Sequence, residues 1–178
     1  AIHAALKRRF GEDDSQIAYD ADEPPRAGAS ERLDPEIPAR VYENLEFEQE
    51  LEFVHLQGAD GIGLYRSEML LIGKEVFPSE EEQFQQYKLI AETVYPKPVI
   101  IRTFDIGGDK FMAHPVKENN PFLGWRGIRV MLDRPELFLE QLRAILRAST
   151  RKNVSVMFPM VSNIKEVRNA KKLIEEAK

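Results

Sequence analysis

Apolar positions along the chain follow two alternating periods. Four short runs rich in β-branched, aromatic or other apolar residues read as strands: Ala39 to Leu45 (ARVYENL), Gly61 to Arg66 (GIGLYR), Val99 to Phe104 (VIIRTF) and Val154 to Met160 (VSVMFPM). Helical spacing fills the intervals. Phe47, Leu51 and Val54 recur at i, i+4 and i+7, with Gly58 placed where a terminator belongs. Ser79 and Glu82 have the spacing of a capping box ahead of an apolar face formed by Phe84, Tyr87, Ala91 and Val94, which predicts a helix to about Tyr95. Between Asp133 and Ser149, Pro135 suits a first helical turn and Leu142, Ile145, Leu146 and Ser149 share one side; Ile164, Val167, Ala170 and Ile174 do so in the last segment. Strands alternating with amphipathic helices predict an α/β protein of about four βα units around a parallel sheet.

This pattern starts near residue 39. Ahead of it, Ala1 to Pro38 runs from a short basic helical stretch into clustered charge punctuated by Pro24, Pro25, Pro35 and Pro38, a composition that predicts a linker or docking arm. The expected organisation is therefore an arm at 1–38 and one folded domain at 39–178.

Charge and composition narrow the function classes. Lys and Arg total 25 against 30 Asp and Glu, so the net charge of -5 supplies no general attraction to nucleic acid or an anionic membrane, and any anion site must be local. The absence of cysteine removes disulfides, thiolate metal sites and a thiol nucleophile. No apolar run approaches the roughly 18 residues of a membrane span, and a cytoplasmic location is the expectation.

In parallel βα architectures functional groups collect at the carboxyl ends of the strands. Arg66 and Arg102 each end an apolar strand run, and two guanidinium forks there could grip one phosphate or carboxylate. The competing reading pairs Arg66 with Glu68, and Arg102 with Asp105 or Asp109, as structural ion pairs; spacing alone does not separate the two. Arg126, in the segment NNPFLGWRGIR (Asn119 to Arg129), could join such a clamp or sit on a rigid corner facing solvent, with Trp125 as packing. Other signals lead nowhere. IGGDK lacks the spacing of a P-loop, so Gly107 and Gly108 read as a hinge; His3, His55 and His114 are scattered and receive no role; the acids from Glu80 to Glu82 suit a first helical turn.

Taken in order, GADGIGLYRSEML, FPSEEEQFQQYKLIA, VIIRTFDIGGDK, NPFLGWRGIR, QLRAILRAS and VSVMFPMV resemble the phosphoenolpyruvate-binding domain of the enzyme I family, the phosphoenolpyruvate-protein phosphotransferases of bacterial sugar phosphotransferase systems. Pyruvate phosphate dikinase and phosphoenolpyruvate synthase share the GIGL-x-R element and are the enzymatic alternative; a non-catalytic half-barrel interaction module is the other. The resemblance implies a (β/α)8 barrel of which residues 39–178 form the first half. It also implies that Arg66, Arg102 and Arg126 hold the phosphate of phosphoenolpyruvate. Members of the family use Mg2+, pass the phosphoryl group to a histidine on a separate domain and then to the carrier protein HPr, and form homodimers. The family's magnesium ligands and its phosphoacceptor histidine match no position here, so the resemblance implies neither a catalytic residue nor a metal ligand in this chain, and no transfer by it alone.

Overall fold

The computed structural model describes residues 40–46, 50–56, 58–74, 76–107 and 124–178. The arm called at 1–38, Phe47, Gly108, Asp109, positions 119–123, His3 and His114 lie outside them. Residues Pro38–Lys178 cluster as one compact unit.

Four strands, β1 (Tyr42–Leu45), β2 (Gly61–Arg66), β3 (Val99–Arg102) and β4 (Val154–Met157), form one sheet in the order β1-β2-β3-β4, and every adjacent pair is parallel. Helices α1 (Leu51–Leu56), α2 (Glu80–Val94), α3 (Ile128–Asp133), α4 (Pro135–Ala148) and α5 (Ile164–Ala177) complete the described elements, with 3-10 turns at Ser67–Leu71, directly after β2, and at Ser149–Arg151. This is the α/β class with a parallel sheet that the pattern predicts. Local chemistry explains several boundaries. Ser79 and Glu82 form a reciprocal capping box on α2, Pro135 opens α4, and Asn163 with Glu166 caps α5 in the same way. Gly58 follows α1 with a left-handed φ of 67°.

One core lies between sheet and helices, where Ile62, Tyr65, Val99 and Ile101 meet Tyr87, Ile90, Val94, Ala144, Ile145 and Ala148. A second surrounds Phe104, Ile106, Ile128, Met131, Phe138, Leu142 and Ala170. Burying each large apolar side chain contributes about 1.5 to 3 kcal/mol, and Tyr65 stands edge-on to Tyr87 at 6.1 Å between ring centroids.

Several element bounds differ from expectation, and β1 starts at Tyr42 rather than at Ala39. Strands β3 and β4 end at Arg102 and Met157 rather than at Phe104 and Met160. The ladder runs one residue further through Thr103 N–H to the Met157 carbonyl (3.0 Å), after which Phe104 N–H turns to the side chain of Gln141 (3.1 Å). Ile164, expected on the buried side of the last helix, is 60% exposed at its first residue. Helix α3 was not expected, because six residues beside glycines carry too short a period to register.

Strand β2 contains an irregularity that matters for the site. Ile62 pairs with Val99 but Tyr65 pairs with Ile101, so β2 holds one residue more than β3 over the same length. Strict alternation would place Ile62, Leu64 and Arg66 on one face. With the extra residue, Ile62 and Tyr65 both enter the helix-side core and Arg66 becomes the ladder partner of Arg102. Gly63 lies inside this stretch, and a Cβ there would stand 2.7 Å from the Cβ of Tyr42.

Candidate functional site: an arginine and carboxylate cluster

Arg66 and Arg102 end adjacent parallel strands at matching register. The chain then supplies Arg126 from a distant segment. An isolated antiparallel bridge joins Gly107 to Arg126, Gly127 N–H donates to the Ile106 carbonyl (3.0 Å), and Ile128 N–H donates to the Pro159 carbonyl (3.2 Å). Gly107, read as part of a hinge, is therefore a bridge partner. Gly127 sits at φ 57° and ψ -131°, a conformation that side chains with a Cβ rarely adopt, and a Cβ would meet Met160 Cγ and the Pro159 carbonyl at 3.1 Å. Arg129 pins the same corner by donating to the carbonyls of Gly124 and Met160, the latter at 3.1 Å. Trp125, half-buried at this corner, donates its indole N–H to Asp133 at 2.7 Å.

Carboxylates interleave with the three arginines. Arg66 pairs with Glu46, and Arg102 pairs with Glu68. Asp105 bridges the other two: its Oδ2 lies 3.6 Å from Arg102 Nη1, and its Oδ1 accepts from Arg126 Nε at 3.1 Å. The side chains of Arg102, Glu68 and Asp105 are 18%, 14% and 12% exposed, so this is a partly buried cluster rather than a surface pair. Burial lowers the Arg102 pKa from the ordinary guanidinium value; Asp105 opposes that shift, and the charges of Arg66 and Arg126 add to it. Arg102 is thus within electrostatic reach of both Arg66 and Arg126. Nε of Arg66, Nε of Arg102 and Oε2 of Glu68 are buried without a hydrogen-bond partner.

The structure brings all three sequence-selected arginines together. It also corrects the proposed ion pairs. Glu68 pairs with Arg102 rather than with Arg66, because the 3-10 turn carries it over the end of β3; Arg66 takes Glu46 from the end of β1. Asp105 does pair with Arg102. Arg126 does not face solvent alone but is 21% exposed against Asp105. Glu46, Ser67, Arg129 and Gln141 escaped sequence reasoning. Only Gln141 left a signal, as a polar residue on the same helical stripe as Phe138, Leu142 and Ile145.

A cleft of about 290 Å³ opens beside the cluster, lined by Glu68, Met69, Leu71, Ile72, Asp105, Ile106 and Gly107. The described residues do not fit a magnesium centre: Glu68 and Asp105 are committed to Arg102, and among the described residues no group of three or more carboxylates or histidines converges.

A parallel βα sheet with clustered arginines at the carboxyl ends of neighbouring strands defines an α/β domain with the layout of an anion-handling site. The profile of the family described as PEP-utilising enzyme, PEP-binding domain matches residues 28–178, and the chain belongs to that family. Among curated proteins it is similar to the phosphoenolpyruvate-protein phosphotransferase of Staphylococcus epidermidis, 49% identical over 144 residues, which covers 80% of this chain and 25% of the relative. The protein of the same name in Staphylococcus carnosus is 54% identical over 121 residues, 67% of this chain and 21% of the relative. That of Haemophilus influenzae is 41% identical over 176 residues, 98% of this chain and 30% of the relative. The chain thus spans about a quarter of the length of these relatives.

Proposed function

We propose that this chain is the phosphoenolpyruvate-binding part of a phosphoenolpyruvate-protein phosphotransferase, and that Arg66, Arg102 and Arg126 bind the substrate phosphate. The observation that carries this reading is the convergence of three guanidinium groups at the carboxyl ends of β2 and β3, two of them holding a buried, unpartnered Nε. Family membership and the names of the relatives support phosphoenolpyruvate as the anion. Planar forks match phosphate oxygens, and each hydrogen bond to a charged group contributes about 1.5 to 3 kcal/mol.

The finer reading extends this. The four βα units are the first half of a (β/α)8 barrel at 39–178, preceded by a linker at 1–38, and further strands pair with the free edges of β1 and β4. The whole protein works in the cytoplasm as a homodimer. With Mg2+ held by residues other than those described here, it moves the phosphoryl group to a histidine and on to HPr for sugar uptake. In that scheme the arginines bind and orient the phosphate and offset charge spread over its oxygens as the bond to the enol oxygen breaks. They are binding groups rather than proton donors, since a guanidinium stays charged throughout the working pH range.

Titration of the chain with phosphoenolpyruvate, read by the fluorescence of its single tryptophan, Trp125, and by calorimetry, tests the assignment. Saturable binding at millimolar ligand or below is expected, with loss in Arg102→Ala. Equal binding by wild type and Arg102→Ala would refute the clamp.

A further inference from the structure

We propose that Gln141 is a positioning residue for the arginine cluster, setting the spacing between the ends of β2 and β3 through a fully buried polar hub. This inference rests on the reading of that cluster as the phosphate site.

Gln141 comes from α4, on the helix side of the sheet, and is 0% exposed within a stripe of Phe138, Leu142 and Ile145. A leucine would suit packing alone. The amide instead makes three hydrogen bonds, all to buried groups. Its Nε2 donates to Ser67 Oγ and to the Tyr87 hydroxyl, each at 3.0 Å, and its Oε1 accepts from Phe104 N–H at 3.1 Å. Two of these reach the backbone that carries the cluster. Ser67 follows Arg66 directly, and its hydroxyl donates to the carbonyl of Arg102 at 2.6 Å, which ties the end of β2 to the end of β3. Phe104 precedes Asp105, the carboxylate shared by Arg102 and Arg126. One side chain therefore holds the main chain beside Arg66, Arg102 and Asp105. The third bond runs the other way, into α2, where the Tyr87 hydroxyl donates to Gln83 Oε1 (3.2 Å) and Gln83 Nε2 donates to the Pro78 carbonyl (2.9 Å).

The geometry explains why a polar hub occupies an apolar interface. Beyond Thr103 the sheet ladder stops supplying partners, and Phe104 N–H would be buried without one; Gln141 replaces that lost bond. A charge cluster also needs fixed spacing. Guanidinium groups misplaced by about an ångström lose the geometry that makes a forked phosphate contact strong.

The test compares two changes in the same hub. Gln141→Met keeps the volume and removes all three bonds; Tyr87→Phe removes the arm toward α2 and leaves the arms to Ser67 and Phe104. In the ligand-free protein, nitrogen-proton NMR follows the Arg102 Nε–H, identified by its disappearance in Arg102→Lys, and the Asp105 amide. Gln141→Met is expected to shift or broaden both signals and to weaken phosphoenolpyruvate binding about tenfold, whereas Tyr87→Phe leaves the signals in place and the affinity within about twofold. Ser67→Ala, which cuts the link to the Arg102 carbonyl, serves where Gln141→Met does not fold and should move the same signals. Unmoved signals in Gln141→Met or Ser67→Ala would overturn the proposal, as would an equal response in Tyr87→Phe, which would mean general loosening of the core. If wild type takes up no phosphoenolpyruvate while the signals still move selectively, the substrate reading fails and the positioning role stands.

Discussion

Arg102 is held by Glu68 and Asp105 in a region where all three side chains are less than a fifth exposed, so its removal strands charge. Take Arg102→Leu. At the 3.6 Å separation from Asp105, unit charges attract by about 4 to 5 kcal/mol at an effective dielectric of about 20. The cost of desolvating the partners offsets much of this, which is why removing one member of a buried pair costs about 3 to 5 kcal/mol while replacing both is often neutral. Residual exposure lowers the figure here to about 2 to 3 kcal/mol. Glu68 accounts for most of it, since Oε2 already lacks a partner and the other oxygen loses Arg102, while Asp105 keeps Arg126. Arg102→Leu combined with Glu68→Leu is therefore expected to lie within about 1 kcal/mol of wild type. Urea unfolding of the four members of the cycle, with slopes compared to confirm a common unfolding process, reads the coupling directly. A double variant whose loss equals the sum of the two single losses would refute the ion-pair reasoning.

Two further outcomes follow from other parts of the fold. The hydrogen bond from Arg143 lowers the Glu80 pKa below its ordinary 4.5, burial opposes this, and Arg147 adds to it. A depressed carboxylate contributes stability that is complete above its unfolded pKa and is lost as pH falls through the folded value, so thermal stability should decline below about pH 4.5. Glu80→Gln should cost about 0.5 to 1 kcal/mol at neutral pH and flatten that decline; an unchanged mutant-to-wild-type difference between about pH 3 and pH 7 would contradict this. Gly63→Ala places a Cβ 2.7 Å from that of Tyr42 and should destabilise by about 1 to 3 kcal/mol in urea; a neutral substitution would show that the extra residue of β2 does not need glycine.

Periodicity made much of this fold legible, because β3 and the helices with recognisable caps each bury one consistent stripe. Ser79 with Glu82, and Pro135, marked helix starts through local hydrogen-bonding and φ constraints that need no tertiary information. The site was legible in its arginines but not in their partners. Glu68 lies two residues from Arg66 in sequence, yet the 3-10 turn delivers it to Arg102. Alternation in β2 fails for a similar reason: a register shift is a property of a strand pair, and one strand read alone cannot reveal it. Gln141 was visible as an anomaly on an apolar stripe, but its meaning depends on where β3 stops, which only the folded ladder fixes.

The charge arrangement of the cluster bears on what it can bind. Arg66 and Arg102, set side by side by strand register, and Arg126, delivered by the bridge to Gly107, carry like charges, and burial together with the charges of Arg66 and Arg126 lowers the Arg102 pKa. Glu46, Glu68 and Asp105 offset the repulsion in the ligand-free chain, so the residues that make the cluster foldable also compete with any incoming anion. A simple carboxylate offers the arginines one charge and two oxygens, little more than the partners already in place. A phosphate monoester carries close to two charges and three acceptor oxygens at neutral pH, and it can engage donors that the carboxylates leave unused, among them the buried Nε groups of Arg66 and Arg102. On the proposed reading, the internal ion pairs therefore set a threshold that favours phosphate over carboxylate, and selectivity arises from competition within the site as well as from contact with the ligand.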